Sequence, residues 1–419
     1  MIKIFRDYIF EERKKIEKIL RDRKESISAK NISVKVQGIL EEVRFKGDSA
    51  IVKYMRIFDK VKLSPENFKV TEKEYREAYN KVSKEFLSAL RLAKKNIVNF
   101  HKKQIRKPVI CNSNGLELSL AVKPIENVGI YVPGGKYSYP STLIMCAVPA
   151  KIAKVSRVMV CSPPMPGPDG SARISPYLLV AAKETQVDEF YKIGGVTAIG
   201  ALAFGTETIK SVDKIVGPGN IYVTEAKRQV FGIVGIDGLA GPSEIMIVAD
   251  KSANPEFVAY DLLAQAEHDK NALAVLITVS KELAGNVNKI AGLKSNVMII
   301  VVNSLSRAAG IINDYGPEHL EIILKGGKNF TKKVKNAGSI LIGEFSPASL
   351  TDYTAGVNHV LPTRGAAKFS SVLSVDDFIK KINIVKGSKT GLKKLSEATS
   401  LLAKLEGFNY HKSSVEIRS

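Results

Sequence analysis

Hydrophobic residues follow two different patterns along the chain, and the pattern changes between residues 106 and 116. Up to about residue 106 they recur three and four positions apart, as at Ile16, Ile19 and Leu20, with many lysines and glutamates between them. This spacing places apolar side chains on one face of a helix, so the region is predicted to be helical. A small lysine-rich helical segment is predicted from about Val375 to the end of the chain.

Short apolar runs alternate with helical stretches after Leu116. Runs that are almost continuously apolar predict parallel strands covered by helices on both faces. The glycine- and proline-rich stretch 235–242 lies between two groups of such runs and predicts a crossing between two domains. The predicted strands are Val128–Val132, Val158–Cys161, Phe190–Ile193, Glu244–Val248, Leu273–Thr278, Val297–Val302 and Ser339–Ile342.

The composition is that of an ordinary soluble globular protein. Of 419 residues, 45% are apolar and 25% are charged, and this length favours two to three domains. Several cores can be buried in such a chain, so it does not need disulfides or a structural metal to fold. The three cysteines, Cys111, Cys146 and Cys161, are too few and too scattered for a disulfide framework, and this usage suits a reducing cytoplasm.

The chain is strongly basic, with 63 Lys and Arg against 42 Asp and Glu and a net charge of +21. The charges are spread along the whole sequence, which attracts anions such as phosphate-bearing cofactors without specifying a nucleic acid. No apolar run approaches the roughly 18 residues of a membrane span, and the charged first residues are unlike a signal peptide. We therefore expect a cytoplasmic protein with neither a membrane nor a nucleic-acid partner.

A candidate metal site begins at the end of a predicted helix. Asn254 is a good N-cap, Pro255 suits the first helical position, and the helix should run to about His268. Gln265 and His268, three residues apart, then share a face and could give one amide oxygen and one imidazole nitrogen to a metal. A polar helix end at the surface explains the same spacing.

Two further segments carry a carboxylate next to a histidine. Glu318 and His319 follow a Gly-Pro turn, on a loop or the first turn of a helix, where they could be a catalytic pair or an acidic turn with an incidental histidine. Asp352 and His359 bracket a glycine turn in a polar loop.

The end of the chain holds another carboxylate and histidine, Glu406 and His411. Taken with Gln265, His268 and Asp352, the last histidine would complete a nitrogen and oxygen site that suits zinc or a similar ion.

The glycine-rich segments leave the cofactor open. The chain has no GxGxxG, so the usual dinucleotide fingerprint is absent. Instead it has glycines in 131–135, 194–195 and 217–220, where backbone amides could approach an anion at the start of a helix. Each of these segments could equally be a tight turn.

In chain order these segments resemble the histidinol dehydrogenase family. They span about residue 100 to the end of the chain and contain four of the five histidines. The matching motifs are VGIYVPGG at 128–135, GPGNIYVTEAK at 217–227, AGPSEI at 240–245, QAEH at 265–268, GPEHLE at 316–321, NHVLPT at 358–363 and EGFNYH at 406–411.

The resemblance implies a homodimeric enzyme that oxidises L-histidinol through L-histidinaldehyde to L-histidine with NAD, the last step of histidine biosynthesis. It implies one zinc ion per subunit, held by Gln265, His268, Asp352 and His411, with His411 supplied by the partner. The zinc would hold the imidazole and amino nitrogens of the substrate.

The remaining roles also come from the resemblance. His319 would be the general base and Glu318 would activate the water that hydrates the aldehyde. The substrate-binding positions would be Ser243, Gln265, His268, His319, Asp352, His359, Glu406 and His411. The NAD contacts would be Tyr131, Asn220 and Thr197, where Thr197 stands at a position at which the family commonly has glutamine.

The expected fold is α/β, with two incomplete Rossmann-like domains built on parallel sheets. The first domain should comprise 25–130 and 243–372 and carry the zinc and substrate site, and the second, 131–242, should bind NAD. Residues 1–24 should form a helical extension and 373–419 a helical dimerisation tail that contributes to the partner's active site. The alternatives are a zinc-dependent hydrolase that uses the same residues and a basic nucleic-acid-binding protein.

Overall fold

The structure is a computed structural model that describes residues 3–25, 30–134, 138–292 and 294–419. The strands are β1 Lys3–Arg6, β2 Val109–Ser113, β3 Leu116–Pro124, β4 Asn127–Tyr131, β5 Arg157–Cys161, β6 Met165–Pro166, β7 Ala172–Arg173, β8 Glu189–Tyr191, β9 Lys214–Val216, β10 Gly235–Ile236, β11 Glu244–Ala249, β12 Leu273–Thr278, β13 Val297–Val301, β14 His319–Ile323, β15 Ser339–Ile342 and β16 Ile379–Gly387. The α-helices are α1 Phe10–Glu25, α2 Lys30–Tyr54, α3 Glu72–Tyr79, α4 Lys84–His101, α5 Pro140–Ile152, α6 Pro176–Glu184, α7 Gly195–Phe204, α8 Ile221–Val230, α9 Pro255–Ala266, α10 Lys281–Ala291, α11 Leu305–Tyr315, α12 Gly327–Phe330, α13 Ala348–Tyr353, α14 Lys389–Leu405 and α15 Asn409–Glu416.

The larger sheet is parallel and, in the described residues, has the strand order β1-β13-β12-β11-β14-β15. Its central strands β11 and β12 are buried along their whole length. Helices α9 and α10 cover one face, and α1 and α11 cover the other. This two-sided cover explains why these strands have nearly continuous apolar sequences.

The first residues of the chain belong to this sheet. The prediction that residues 1–24 form a separate helical extension was therefore wrong. Strand β1 pairs in parallel with β13 at the edge of the sheet. Phe5, Ile16 and Leu20 are buried in the same cluster as Met246 and Val248 of β11. Burial of these apolar side chains therefore holds the N-terminal strand and helix on the sheet.

The smaller sheet is also parallel, with the order β10-β9-β4-β5-β8. Helices α4, α5 and α6 contribute to the core on one face, and α2, α7 and α8 to the core on the other. The chain leaves this sheet after β10 and enters the larger sheet at β11, within the glycine- and proline-rich stretch that predicted a crossing.

The N-terminal helices lie on the smaller sheet, whereas the predicted domain boundary assigned 25–130 to the larger one. Val36 and Leu40 of α2 pack in one core of the smaller sheet, and Leu90 and Ile97 of α4 pack in the other. The prediction was wrong here because the apolar stripe of a helix shows that it is buried but not which sheet buries it.

The C-terminal region contains a strand that the prediction of a helical tail missed. Strand β16 pairs with β3, which pairs with β2, in an antiparallel three-stranded sheet. Helices α14 and α15 follow it. The apolar side chains of Ile382, Ile384 and Val385 on β16 are exposed within the chain.

The predicted fold class is confirmed, since two parallel sheets carry helices on both faces. Among the described helices, none combines the length and the apolar character that crossing a bilayer requires.

Candidate active site

Several candidate side chains meet at the amino ends of β11 and β14 in the larger sheet. Ser243 immediately precedes β11, Glu318 immediately precedes β14, and His319 is the first residue of β14. The register pairs Ile245 with His319. His319 is thus a buried strand residue, where the sequence predicted a loop or a helix turn.

Glu318 is buried and hydrogen-bonded from the neighbouring strand. The backbone N–H of Glu244 donates to Oε2 of Glu318 at 2.8 Å. Burial, together with the nearby carboxylates of Glu244 and Asp352, raises the pKa of Glu318 well above its usual range. A carboxyl group with a raised pKa is a stronger base once it is ionised.

Glu244 is the centre of a buried network that supports Glu318. Its Oε2 accepts a hydrogen bond from Tyr315 Oη at 2.5 Å and from Arg23 Nε at 3.0 Å. Its Oε1 accepts the backbone N–H of Arg364 at 2.9 Å. The sequence does not predict this network, because Arg23 is 221 residues away from Glu244 and no local pattern joins them.

His319 lies between two carboxyl groups. Its Nε2 is 4.0 Å from Oε1 of Glu318 and 3.8 Å from Oδ1 of Asp352. Nδ1 is buried and has no hydrogen-bond partner among the described residues. Burial, with His359 and His268 nearby, lowers the pKa of His319 to about 3, so the imidazole is neutral and can accept a proton at neutral pH.

The helix that carries Gln265 begins as predicted and ends at Ala266, two residues before His268. Asn254 Oδ1 accepts the backbone N–H of Glu256 at 2.8 Å, and Pro255 starts α9. Gln265 Nε2 is 3.3 Å from Nδ1 of His268, so the two side chains share a face at the helix end. Gln265 is buried and His268 lies at the surface, with a pKa that desolvation lowers.

Asp352 and His359 join this group from the other side. Asp352 lies on α13, and its backbone carbonyl accepts a hydrogen bond from His359 Nδ1 at 2.7 Å. The Nε2 of His359 is 3.5 Å from the hydroxyl of Thr142, which lies on α5 beside the smaller sheet. Burial raises the pKa of Asp352 to about 7 and lowers the pKa of His359 to about 4.

Glu406 and His411 are not brought to the other candidates within one chain. Both are exposed, and His411 stacks on Phe408 with the ring centroids 4.9 Å apart. No group of three or more His, Cys, Asp or Glu in the described ranges is placed to hold a metal ion. Gln265, His268 and Asp352 therefore offer an incomplete set of nitrogen and oxygen donors, which fits zinc only if a further ligand comes from outside.

The candidate cofactor residues lie at the carboxyl edge of the smaller sheet. Tyr131 ends β4, Thr197 follows β8, and Asn220 follows β9. Strand β4 has β5 on one side and β9 on the other, so the chain changes direction across the sheet at β4 and β9. Open parallel sheets bind dinucleotides at such a switch point.

The side chains of Tyr131, Thr197 and Asn220 all form hydrogen bonds within the chain. The hydroxyl of Tyr131 accepts the backbone N–H of Gly195 at 3.2 Å, and the buried hydroxyl of Thr197 donates to the carbonyl of Gly194 at 2.7 Å. Asn220 caps α8 through Oδ1 and is exposed. Gly135, the last residue of the 131–135 segment, lies outside the described residues.

The candidate site of the larger sheet lies next to the carboxyl edge of the smaller sheet. Thr142, in the first turn of α5 after β4, contacts His359 there. A neutral buried imidazole beside a carboxyl group, next to a dinucleotide-type switch point, defines the site of an enzyme that moves protons on a bound substrate.

Comparison with known proteins agrees with this class. The family model for histidinol dehydrogenase matches residues 22–419. The chain is 45% identical over 420 residues to histidinol dehydrogenase of Clostridium acetobutylicum, covering 96% of each chain. It is 44% identical to that of Methanocaldococcus jannaschii, covering 97% of this chain and 98% of the relative.

A solved structure agrees as well. The crystal structure of histidinol dehydrogenase from Elizabethkingia anophelis aligns with a TM-score of 0.91 at 35% identity and covers 100% of this chain and 98% of that one. The chain belongs to the histidinol dehydrogenase family.

Proposed function

We propose that this chain is a cytoplasmic enzyme that oxidises L-histidinol through L-histidinaldehyde to L-histidine with two NAD⁺, the last step of histidine biosynthesis. The observation that carries the proposal is the neutral, buried His319 held between Glu318 and Asp352. No observation favours the two alternatives, a zinc-dependent hydrolase or a nucleic-acid-binding protein.

His319 is the general base of both oxidations. In the first, hydride leaves the alcohol carbon for NAD⁺ and the hydroxyl proton passes to Nε2 of His319. In the second, the same proton and hydride transfers act on the hydrated aldehyde. The ring of His319 enters each step without a proton, because burial lowers its pKa.

Glu318 is the base that activates water for addition to the aldehyde carbonyl. Its carboxyl group lies beside His319, so Glu318 can take the proton of the attacking water and His319 the hydroxyl proton at the same reacting carbon. The bond from the Glu244 N–H fixes Oε2, and Oε1 faces the imidazole.

Gln265, His268 and Asp352, with the partner subunit's His411, would hold one zinc ion per subunit. When bound, that ion would fix the imidazole and amino nitrogens of the substrate, an orienting contribution to the rate. Ser243, His359 and Glu406 would contact the substrate.

A homodimer with shared active sites is supported by the C-terminal region. His411 is exposed, and its described contact is with Phe408 and not with the donors in its own chain. The same region exposes apolar side chains that a subunit contact would bury, namely those of Ile382, Ile384, Val385, Leu401, Leu402, Leu405 and Phe408.

NAD would bind at the switch point of the smaller sheet. Tyr131 and Asn220 flank it, and the glycines at 217 and 219 allow the backbone to approach a pyrophosphate at the start of α8. Thr197 is expected to contribute little through its side chain, because its hydroxyl donates within its own helix.

The activity is tested by NADH formation from histidinol and, separately, from histidinaldehyde. We expect His319→Asn to slow both oxidations and Glu318→Gln to slow mainly the aldehyde step, by a factor of about 10² to 10⁴. Equal impairment of both substrates by Glu318→Gln would contradict the division of roles. Absence of histidinol-dependent NADH from the wild-type enzyme would contradict the function itself.

The shared zinc site is tested by mixing inactive subunits. His268→Ala and His411→Ala should each lose zinc and turnover, whereas Glu318→Gln should keep its zinc. Co-expression of the first two variants should restore activity, because the heterodimer has one site with both lesions and one site with neither. No recovery in isolated heterodimers would refute the contribution of His411 across the interface.

A further inference from the structure

One buried and one half-buried carboxyl group meet behind the site, and neither has a role in the chemistry proposed above. Glu321 lies on β14, two residues after His319, and is almost fully buried. Asp261 lies on α9, one turn before Gln265, and is half-buried. The pKa of each group is affected by a side-chain hydrogen bond with the other, which indicates that the two carboxyl groups face each other.

This contact cannot form between two ionised groups. A carboxylate only accepts hydrogen bonds, and one of the two must be protonated to donate. Oε1 of Glu321 accepts the backbone N–H of Ala348 at 2.7 Å. Its Oε2 is buried and meets no donor among the described residues, so a proton held between the two carboxyl groups would satisfy it. Burial raises the pKa of both groups, which agrees with a retained proton.

We propose that Glu321 and Asp261 share one proton and that this carboxyl pair positions the three elements that carry the active site. Glu321 anchors β14, and so His319. Asp261 anchors α9, which carries Gln265 at its end. The bond to Ala348 anchors the first residue of α13, four residues before Asp352.

Both members of the pair are positioning residues, because they act through the elements that carry His319, Gln265 and Asp352. The effect on catalysis rests on the proposed function, whereas the shared proton and the link between the elements do not. Loss of the link should let α9 and α13 move relative to β14, which changes the distance between the proposed zinc donors and the base. Outer partners of metal ligands contribute about 10- to 100-fold to metal affinity or activity.

Amide and alanine variants separate the proton from simple packing. In Glu321→Gln the amide N–H can donate to Asp261 and the amide oxygen can accept from Ala348, and Asp261→Asn can donate in the same way. We expect both variants to keep near wild-type kcat, whereas Glu321→Ala and Asp261→Ala should lose about 10- to 100-fold in zinc affinity or kcat. Glu282→Ala, at an exposed position of α10, is the matched control and should change nothing.

The proton itself is tested without metal, substrate or NAD. Infrared difference spectra of the zinc-free protein should show the carbonyl band of one protonated carboxyl group in the wild type that is missing from both Glu321→Gln and Asp261→Asn. Thermal unfolding of the zinc-free protein should be lowered by Glu321→Ala and hardly changed by Glu321→Gln. Persistence of the band in both amide variants, or equal damage by glutamine and alanine at 321, would overturn the proposal. If the infrared band is lost in both amide variants as expected but the wild-type enzyme does not oxidise histidinol, the proposed function is wrong and the shared proton is still supported.

Discussion

Acidification should destabilise the zinc-free protein through His319. In the folded chain the pKa of His319 is lowered to about 3, whereas in the unfolded chain it should be near the usual value of about 6.5. Below about pH 6.5 the unfolded chain therefore binds a proton that the folded chain does not, and the free energy of unfolding falls as the pH falls. Between about pH 7.5 and about pH 5, some 1.5 pH units lie below 6.5, which at about 1.36 kcal/mol per unit gives a loss of about 2 kcal/mol.

This contribution is measured by urea unfolding of zinc-free protein at the two pH values. His319→Asn cannot titrate, so its stability should fall by about 2 kcal/mol less than that of the wild type over the same interval. Asp352 acts in the opposite direction, because its raised pKa makes the folded chain take up a proton as the pH falls, and this effect is present in both proteins. Gln265→Asn is the control, since it disturbs the same site without removing a titrating group and should shift stability equally at both pH values. An identical pH dependence for wild type and His319→Asn would contradict a lowered pKa of His319 in the folded chain.

Two further substitutions test the supports of the site. Tyr315→Phe removes the 2.5 Å hydrogen bond to the buried carboxylate of Glu244 and should lower stability by about 1.5 to 3 kcal/mol in urea unfolding; an unchanged midpoint would contradict the importance of this network. Gly217→Ala places a Cβ 2.1 Å from the carbonyl oxygen of Tyr131 at a φ of 109°, so the loop must shift and KM for NAD should rise in steady-state assays. Gly238→Ala, where an added Cβ meets nothing within 4 Å, should leave KM unchanged, and equal effects of the two would show that the loop is not part of the NAD site.

The buried strands were predictable because they are covered on both faces. The predicted bounds 273–278 coincide with those of β12, since a run buried on both sides is apolar at almost every position. The bounds 339–342 coincide with those of β15 as well, although that strand lies at the edge of the sheet and is largely exposed. Strand β14 was missed because Glu321 interrupts its apolar run. A carboxyl group is stable in a buried strand only if it has a polar partner. The partner of Glu321 is Asp261, which lies on a different element and gives no signal in the sequence around β14.

The candidate site was predictable where its residues stand in motifs. Gln265 lies near the end of one capped helix and His268 two residues beyond it, and their side chains meet as the spacing predicted. The supports of the site have no such signal. Tyr315 and Glu244 are 71 residues apart, and only the folded chain shows that they meet.

The pairing of β1 with β13 has a consequence for how the protein is made. Phe5 pairs with Ile300, so 295 residues separate the first strand from its neighbour in the sheet that carries the candidate catalytic pair. At roughly 5 to 20 residues per second, a ribosome takes about 15 to 60 s to produce that interval. All strands of the smaller sheet lie between β1 and β13 in the chain. They can pair with one another before β13 is made, while the backbone groups of β1 are still unpaired. An unpaired strand invites pairing with other chains, so the newborn protein is most exposed to aggregation, or most dependent on a chaperone, during this delay.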